Sequence, residues 1–216
     1  MFTMAKVKDD NKTGNNFMFT HLSSNDYYSE NEKIVGHWYG KLSEEFGIKG
    51  NEIAADEFVK IQKNENPWRG GKLTPAVRNG SSRFFDFQCS AQKSISIMAV
   101  VMNDQRLSKA HSECVKKALT EMEKFVSCRM RKGALHGTEK LEVTGNMIAG
   151  LYNHDASRAL DPQIHTHCVV ANVTWCESEQ RYKALSEYEI LKVMPSLALC
   201  IVFYLLFGQN KTLILR

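Results

Sequence analysis

At 216 residues the chain fits one domain of ordinary size, and its 43% hydrophobic and 24% charged content is that of a soluble globular protein with a real core. A net charge of +4 is compatible with a nucleic-acid partner without requiring one, because basic residues must cluster to matter. Six dispersed cysteines without a C-x-x-C pair, behind a start "MFTMAKVKDDNKTG" that holds no apolar leader, argue against a disulfide scaffold and a secretory signal; they read as reduced thiols in a cytoplasmic protein.

Residues 1–8 read as a short edge strand. "NFMFTHLSSNDYYSENEKI" reads as a helix giving way to an acidic-polar segment that carries Tyr27 and Tyr28. In "HWYGKLSEEFG" the spacing of Trp38, Leu42 and Phe46 predicts a helix stopped by Gly47, and a second short helix is expected over 54–63. "NENPWRGGKLTPAVRNGSS" is a Gly/Pro-rich loop, a kind of segment that carries function more often than packing. "RFFDFQCS" alternates and predicts a strand, followed by a helix in "AQKSISIMAVVM" capped by Ser90. Leu107, Ala110, Cys114, Ala118, Met122, Phe125 and Arg129 recur at helical spacing and predict a long amphipathic helix over about 105–131.

"GNMIAGLYNH" and "IHTHCVVANVTW" read as two apolar strands joined by a polar loop, and Ser186 with Glu189 as a capping box opening a helix at "EYEIL". After Leu191 the run "VMPSLALCIVFYLLFG" is almost unbroken hydrocarbon, interrupted by Pro195. It is shorter than the roughly 20 residues a spanning helix needs, so a buried core helix or an aberrant tail is expected over 192–216, with no stable membrane insertion.

The chemistry concentrates in "HDASRALDPQIHTHCVVANVT", which holds three of the chain's seven histidines. Alternate residues of a strand share a face, so His165 and His167 point the same way. If the two flanking strands pair as an antiparallel hairpin, His154 falls beside His165, with Cβ atoms about 4.5–5.5 Å apart. Three neutral imidazoles meeting at one point, with coordination positions left open, make a catalytic metal site; the bland alternative is three histidines satisfied by local hydrogen bonds. Asp86, set among aromatics in "FFDF", either faces water from an edge strand or is buried, and then needs a partner such as a ligand imidazole N–H. The Tyr27–Tyr28 pair supplies phenols that a base and a metal would activate as nucleophiles.

"HWYGKLSEEFGI", "SAQKSISIMAV" and "TGNMIAGLYNHDASRALDPQIHTHCVVANVT", in this order behind "DYYS", resemble the relaxase domain of the MobF class of conjugative relaxases, which are HUH endonucleases. The resemblance covers residues 1–191 and implies an α+β fold: a central antiparallel β-sheet bearing the three-histidine metal site, with helices packed on the other face. It implies a single-stranded DNA nicking and joining transesterase that acts at an origin of transfer through a 5′-phosphotyrosyl intermediate. Carried over, His154, His165 and His167 are the metal ligands, and Asp86 orients a ligand histidine or takes the tyrosine proton. Tyr27 is the expected nucleophile, as the first of the tandem pair, with Tyr28 beside it. Magnesium or manganese is the family's usual ion, whereas imidazole ligands by themselves suit zinc, copper, iron or nickel.

The implied partners are single-stranded DNA, relaxosome accessory proteins and a type IV secretion coupling protein. DNA contacts are expected from Trp68, Arg69, Lys72, Arg78 and Arg83 in the basic stretch, and from Lys93 in "SAQKS". Arg158 in the histidine loop either contacts DNA or pairs with Asp155 or Asp161. Three departures stand out: one tyrosine pair where many relatives carry two, Thr166 in the middle of the histidine motif, and Gln92 where a proline is usual. The family's domain runs on past the length of this chain, usually into a helicase, so 1–191 is expected to be an incomplete relaxase domain ending as a truncated or frameshifted product would. A rolling-circle replication initiator uses the same chemistry on a smaller scaffold, and a non-catalytic remnant that binds single-stranded DNA is the remaining alternative.

Overall fold

A computed structural model describes residues 1–8, 34–75, 81–130, 140–157 and 159–207. In chain order the elements are β1 (Phe2–Lys8), β2 (His37–Tyr39), α1 (Lys41–Glu45), α2 (Ala55–Gln62), β3 (Ser82–Ser90), α3 (Lys93–Val100), α4 (Gln105–Glu123) and β4 (Ser127–Met130). They continue with β5 (Lys140–Val143), β6 (Ala149–Ala156), β7 (Pro162–Ala171), β8 (Thr174–Cys176), β9 (Arg181–Lys183), β10 (Leu185–Ser186) and α5 (Tyr188–Phe207). The main sheet has the order β1-β3-β7-β6-β2 and every pair in it is antiparallel. A three-stranded sheet β10-β4-β5 and the β8–β9 hairpin complete the set. The α+β class expected from the sequence is the one observed, and residues 1–8 do form an edge strand.

The period-2 alternation of β3 and β7 sorts their residues between two layers. On the rear face Phe85, Phe87, Cys89, Cys168 and Val170 pack against Cys114, Val115, Ala118, Leu119 and Met122 of α4 and against Ile190, Leu197 and Ile201 of α5. The front face is covered at one end by a second core, in which Phe84, Val169, Ala171 and Tyr152 meet Trp38, Leu42, Ile53, Phe58 and Ile61. Helices therefore cover the rear face, as expected, and also one end of the front. The other end of the front face carries the histidines.

Four local expectations are corrected. His37–Tyr39 is strand, paired with Ala149–Leu151, and the helix is only Lys41–Glu45. The divider is Gly40 at φ 102, where an added Cβ would lie 2.4 Å from the Met147 carbonyl oxygen, so neither L-residue geometry nor space allows a side chain. Ser90 is the last residue of β3, and Gln92 is the residue before α3, without a side-chain cap. The long helix ends at Glu123 rather than near 131, and Cys128 and Arg129 belong to β4. What stops it is Glu123 itself: its buried Oε1 accepts from the amides of Lys41 (2.8 Å) and Met147 (2.9 Å), tying the helix end to two other segments. Burial raises the carboxyl pKa, against the pull of those two amides. Finally, Ser186 pairs with Ser127 in the small sheet and Glu189 binds Lys192 at 2.9 Å, so the expected capping box is not made.

Helix α5 runs unbroken across Leu191 and contains Pro195. Its buried side chains Ile190, Leu197 and Ile201 explain the apolar run as a core element. Among the described residues no helix is long and apolar enough to cross a membrane. The five cysteines described are free and buried.

Two substitutions test this account by urea denaturation. Glu123→Ala strands two amides and is expected to cost about 2–4 kcal/mol. Gln92 already has φ −65, the angle a proline ring imposes, and sits just before the first helical turn. Gln92→Pro is expected to stabilise by about 0.4–1 kcal/mol; a loss instead would show that its amide or its neighbours are constrained.

Candidate metal centre

The β6–β7 hairpin places the three histidines. Its register sets His154 directly opposite His165 and Tyr152 opposite His167, so all four side chains lie on the front face. Ring centroids are 4.9 Å apart for His154–His165, and 5.2 Å for His154–His167 and for His165–His167. His154 and His165 are buried, at 6% and 7% exposure.

Second contacts fix the rings. His167 Nδ1–H donates to Asp86 Oδ2 at 2.8 Å, and His165 Nδ1–H donates to the Gln163 carbonyl at 2.9 Å. Each bond puts the proton on Nδ1 and the lone pair on Nε2, the tautomer a metal-ligating histidine uses. Asp86 stands opposite Val169, one same-face step along from His167, which explains an acid inside an aromatic strand: Phe85 and Phe87 point to the rear core and Asp86 to the front. It is 6% exposed, and its Oδ1 accepts no hydrogen bond among the described residues. A buried carboxylate with one oxygen unmatched is costly unless cationic charge gathers nearby.

Among the described residues no three His, Cys, Asp or Glu donors are already drawn together as a closed ligand set. The imidazoles nevertheless fit a divalent ion. Rings bound through Nε2 at about 2.0–2.1 Å have centroids roughly 5 Å apart, close to the spacing found, and the orphaned Asp86 oxygen supplies negative charge behind them.

The other residues singled out in the sequence are dispersed. Trp68 is half-buried: its indole N–H donates to Glu57 Oε1 at 2.8 Å, and the ring stacks on Phe46 at 4.8 Å, so it is locked into the front core. Arg69 lies over the Phe46 ring at 4.9 Å and donates to the Glu45 carbonyl at 3.1 Å. Lys72 is exposed. Arg83 lines a cavity of about 430 Å³ with Lys6, Arg129 and Lys183, at the end of the sheet away from the histidines. Lys93 binds Asp161 at 3.1 Å, tethering α3 to the loop between the histidine strands. These side chains do not form the single basic platform that their sequence clustering suggested. Tyr27, Tyr28, Arg78 and Arg158 lie outside the described residues.

Sequence reasoning passed over Gln88 and Ser90, which stand directly opposite His167 and His165 on the histidine face. The signal was available, because they continue the alternation that starts at Asp86. It also passed over buried His111 on α4, which with His154 lines a cavity of about 450 Å³; burial lowers its pKa to about 4, so it is neutral.

The chain matches the TrwC relaxase family over residues 6–198. It is 32% identical over 195 residues to the multifunctional conjugation protein TraI of Escherichia coli K12; the match takes in 89% of this chain but spans only about a tenth of that relative, 10% of its length. Among solved structures it is similar to the conjugative relaxase TrwC in complex with oriT DNA in a metal-bound form, with TM-score 0.79 and 27% identity over 96% of this chain and 69% of that one. A copper-bound form of the same complex gives TM-score 0.80 at 27% identity, with the same coverage. By sequence and by the course of its backbone, the chain belongs to the TrwC relaxase family.

Proposed function

We propose that the protein nicks and rejoins one strand of DNA at the origin of transfer of a plasmid or integrative element. The observation that carries this reading is the meeting of three histidines on one face of a hairpin, with Asp86 holding His167 from behind. The relatives support it, since solved TrwC structures hold oriT DNA and some hold metal. Accessory relaxosome proteins and a secretion coupling protein are the further partners this reading implies.

In the proposed reaction the Tyr27 phenolic oxygen forms a bond to the scissile phosphorus as the bond to the 3′ oxygen breaks. The tyrosine proton leaves to a base, and the departing 3′ oxygen ends as a hydroxyl. The phosphodiester bond is exchanged for a phosphotyrosyl bond, so the reverse step reseals the strand. His154, His165 and His167 would hold a divalent cation, magnesium or manganese in function with zinc or nickel as alternatives; when bound, it polarises a non-bridging phosphate oxygen. Asp86 acts through His167 as a positioning residue: it holds the Nδ1 proton and turns Nε2 toward the other two rings. The half-buried Gln88 flanks the site on the strand beside His167, where a phosphate or base edge would lie.

Two experiments test the reading. Incubated with Mn²⁺ and a single-stranded oligonucleotide spanning the element's origin, the protein is expected to form a covalent adduct that Tyr27→Phe plus Tyr28→Phe abolishes. An adduct that survives the double change removes tyrosine from the mechanism, and a folded, metal-loaded protein that forms none with its own origin favours a DNA-binding remnant. Asp86→Asn is expected to weaken Mn²⁺ binding by about 10–100-fold in calorimetry, and unchanged affinity would assign Asp86 another role.

A further inference from the structure

Away from the histidines, a second group of metal-ligating atoms gathers where β4 and β5 meet β8. The ladder pairs Cys128 with Glu142, and Met130, two residues along, shares the face of Cys128. A thiol, a thioether and a carboxylate thus stand on one side of a ribbon. Cys176 of β8 lies against that side: its Sγ is 3.9 Å from Met130 Sδ and 3.5 Å from Glu142 Oε1, and it hydrogen-bonds the Cys128 thiol. Both cysteines are 0% exposed. Ser178 Oγ donates to Glu142 Oε2, which leaves Oε1 turned toward Cys176.

These separations are those of a coordination tetrahedron. An ion holding sulfur at about 2.3 Å and carboxylate oxygen at about 2.0–2.2 Å keeps its sulfur ligands about 3.8 Å apart, and sulfur and oxygen about 3.5 Å apart. We propose that Cys128, Cys176, Met130 and Glu142 form a second metal site that takes a thiophilic divalent ion of the zinc class and pins the β8–β9 hairpin to the small sheet. Two thiolates and a thioether select against magnesium, and the carboxylate favours a divalent over a monovalent soft ion. On binding, the two thiols each lose a proton to solvent and the ion takes their place. Two thiolates and one carboxylate exceed a divalent charge by one. Lys183, whose Nζ is 3.8 Å from Met130 Sδ, offsets the excess. Without metal, burial pushes the Cys128 thiol up to about 12, so the pair rests protonated and hydrogen-bonded.

The site is independent of the nicking reaction, and cobalt separates the two centres, because only thiolate ligands give an intense near-ultraviolet charge-transfer band with Co²⁺. Titration of the full chain with Co²⁺ is expected to show that band, and Zn²⁺ to bleach it while raising the melting temperature. The band is expected to persist in the His154→Ala, His165→Ala, His167→Ala variant and to vanish in Cys128→Ser plus Cys176→Ser. Should the double cysteine variant fail to fold, Met130→Leu and Glu142→Gln, at half-buried positions, are each expected to weaken Co²⁺ binding at this band by about tenfold or more. Absence of the band from folded wild-type protein overturns the proposal. So does a band that outlasts the cysteine changes, or one that neither Met130→Leu nor Glu142→Gln weakens.

Discussion

The pairing of His154 with His165 across the β6–β7 ladder is the constraint on which the rest depends. It is a matter of register. Because side chains alternate with a period of two, a slip of one residue would send His165 and His167 into the rear core and bring Thr166 and Cys168 to the front. The ladder cannot slip cheaply, because β7 is buried on both faces. Cys168 and Val170 are held by α4 and α5 behind, and Val169 and Ala171 by α2 and the Trp38 segment in front. Apolar packing at one end of the sheet therefore sets the direction of the imidazoles at the other.

Asp86 shows how the two ends are joined. The strand that supplies Phe85 and Phe87 to the rear core also supplies a carboxylate to the front, 2.8 Å from His167 Nδ1. Burying that charge beside aromatic rings opposes folding unless its partners are in place. A buried acid among apolar neighbours is thus a local cost that makes sense only in relation to the histidines. Glu123 follows the same logic on the structural side, where a buried carboxylate ends a helix by satisfying two amides from elsewhere in the chain.

The cationic residues behave differently. Arg69 is spread over an aromatic ring, Lys93 is tied to Asp161, and Arg83 faces a cavity remote from the histidines. Long side chains close in sequence can point to separate surfaces once strands and turns intervene, and basic spacing carries no information about that. Short, β-restricted residues such as the histidines have their direction fixed by the backbone, which is why their clustering was legible.

Periodicity and motif spacing determined that a strand would carry Asp86, that a hairpin would carry the three histidines on one face, that a long amphipathic helix would back the sheet, and that the chain resembles a relaxase. These are local properties, set by alternation and by residue type. Tertiary structure alone decided where α4 ends, because Glu123 bonds amides distant in sequence, and that His37–Tyr39 is strand, because Ala149–Leu151 offers it an edge. It alone also brought Cys128 and Cys176 together, 48 positions apart, since ladder register and the return of β8 place their sulfurs and no spacing rule describes that path.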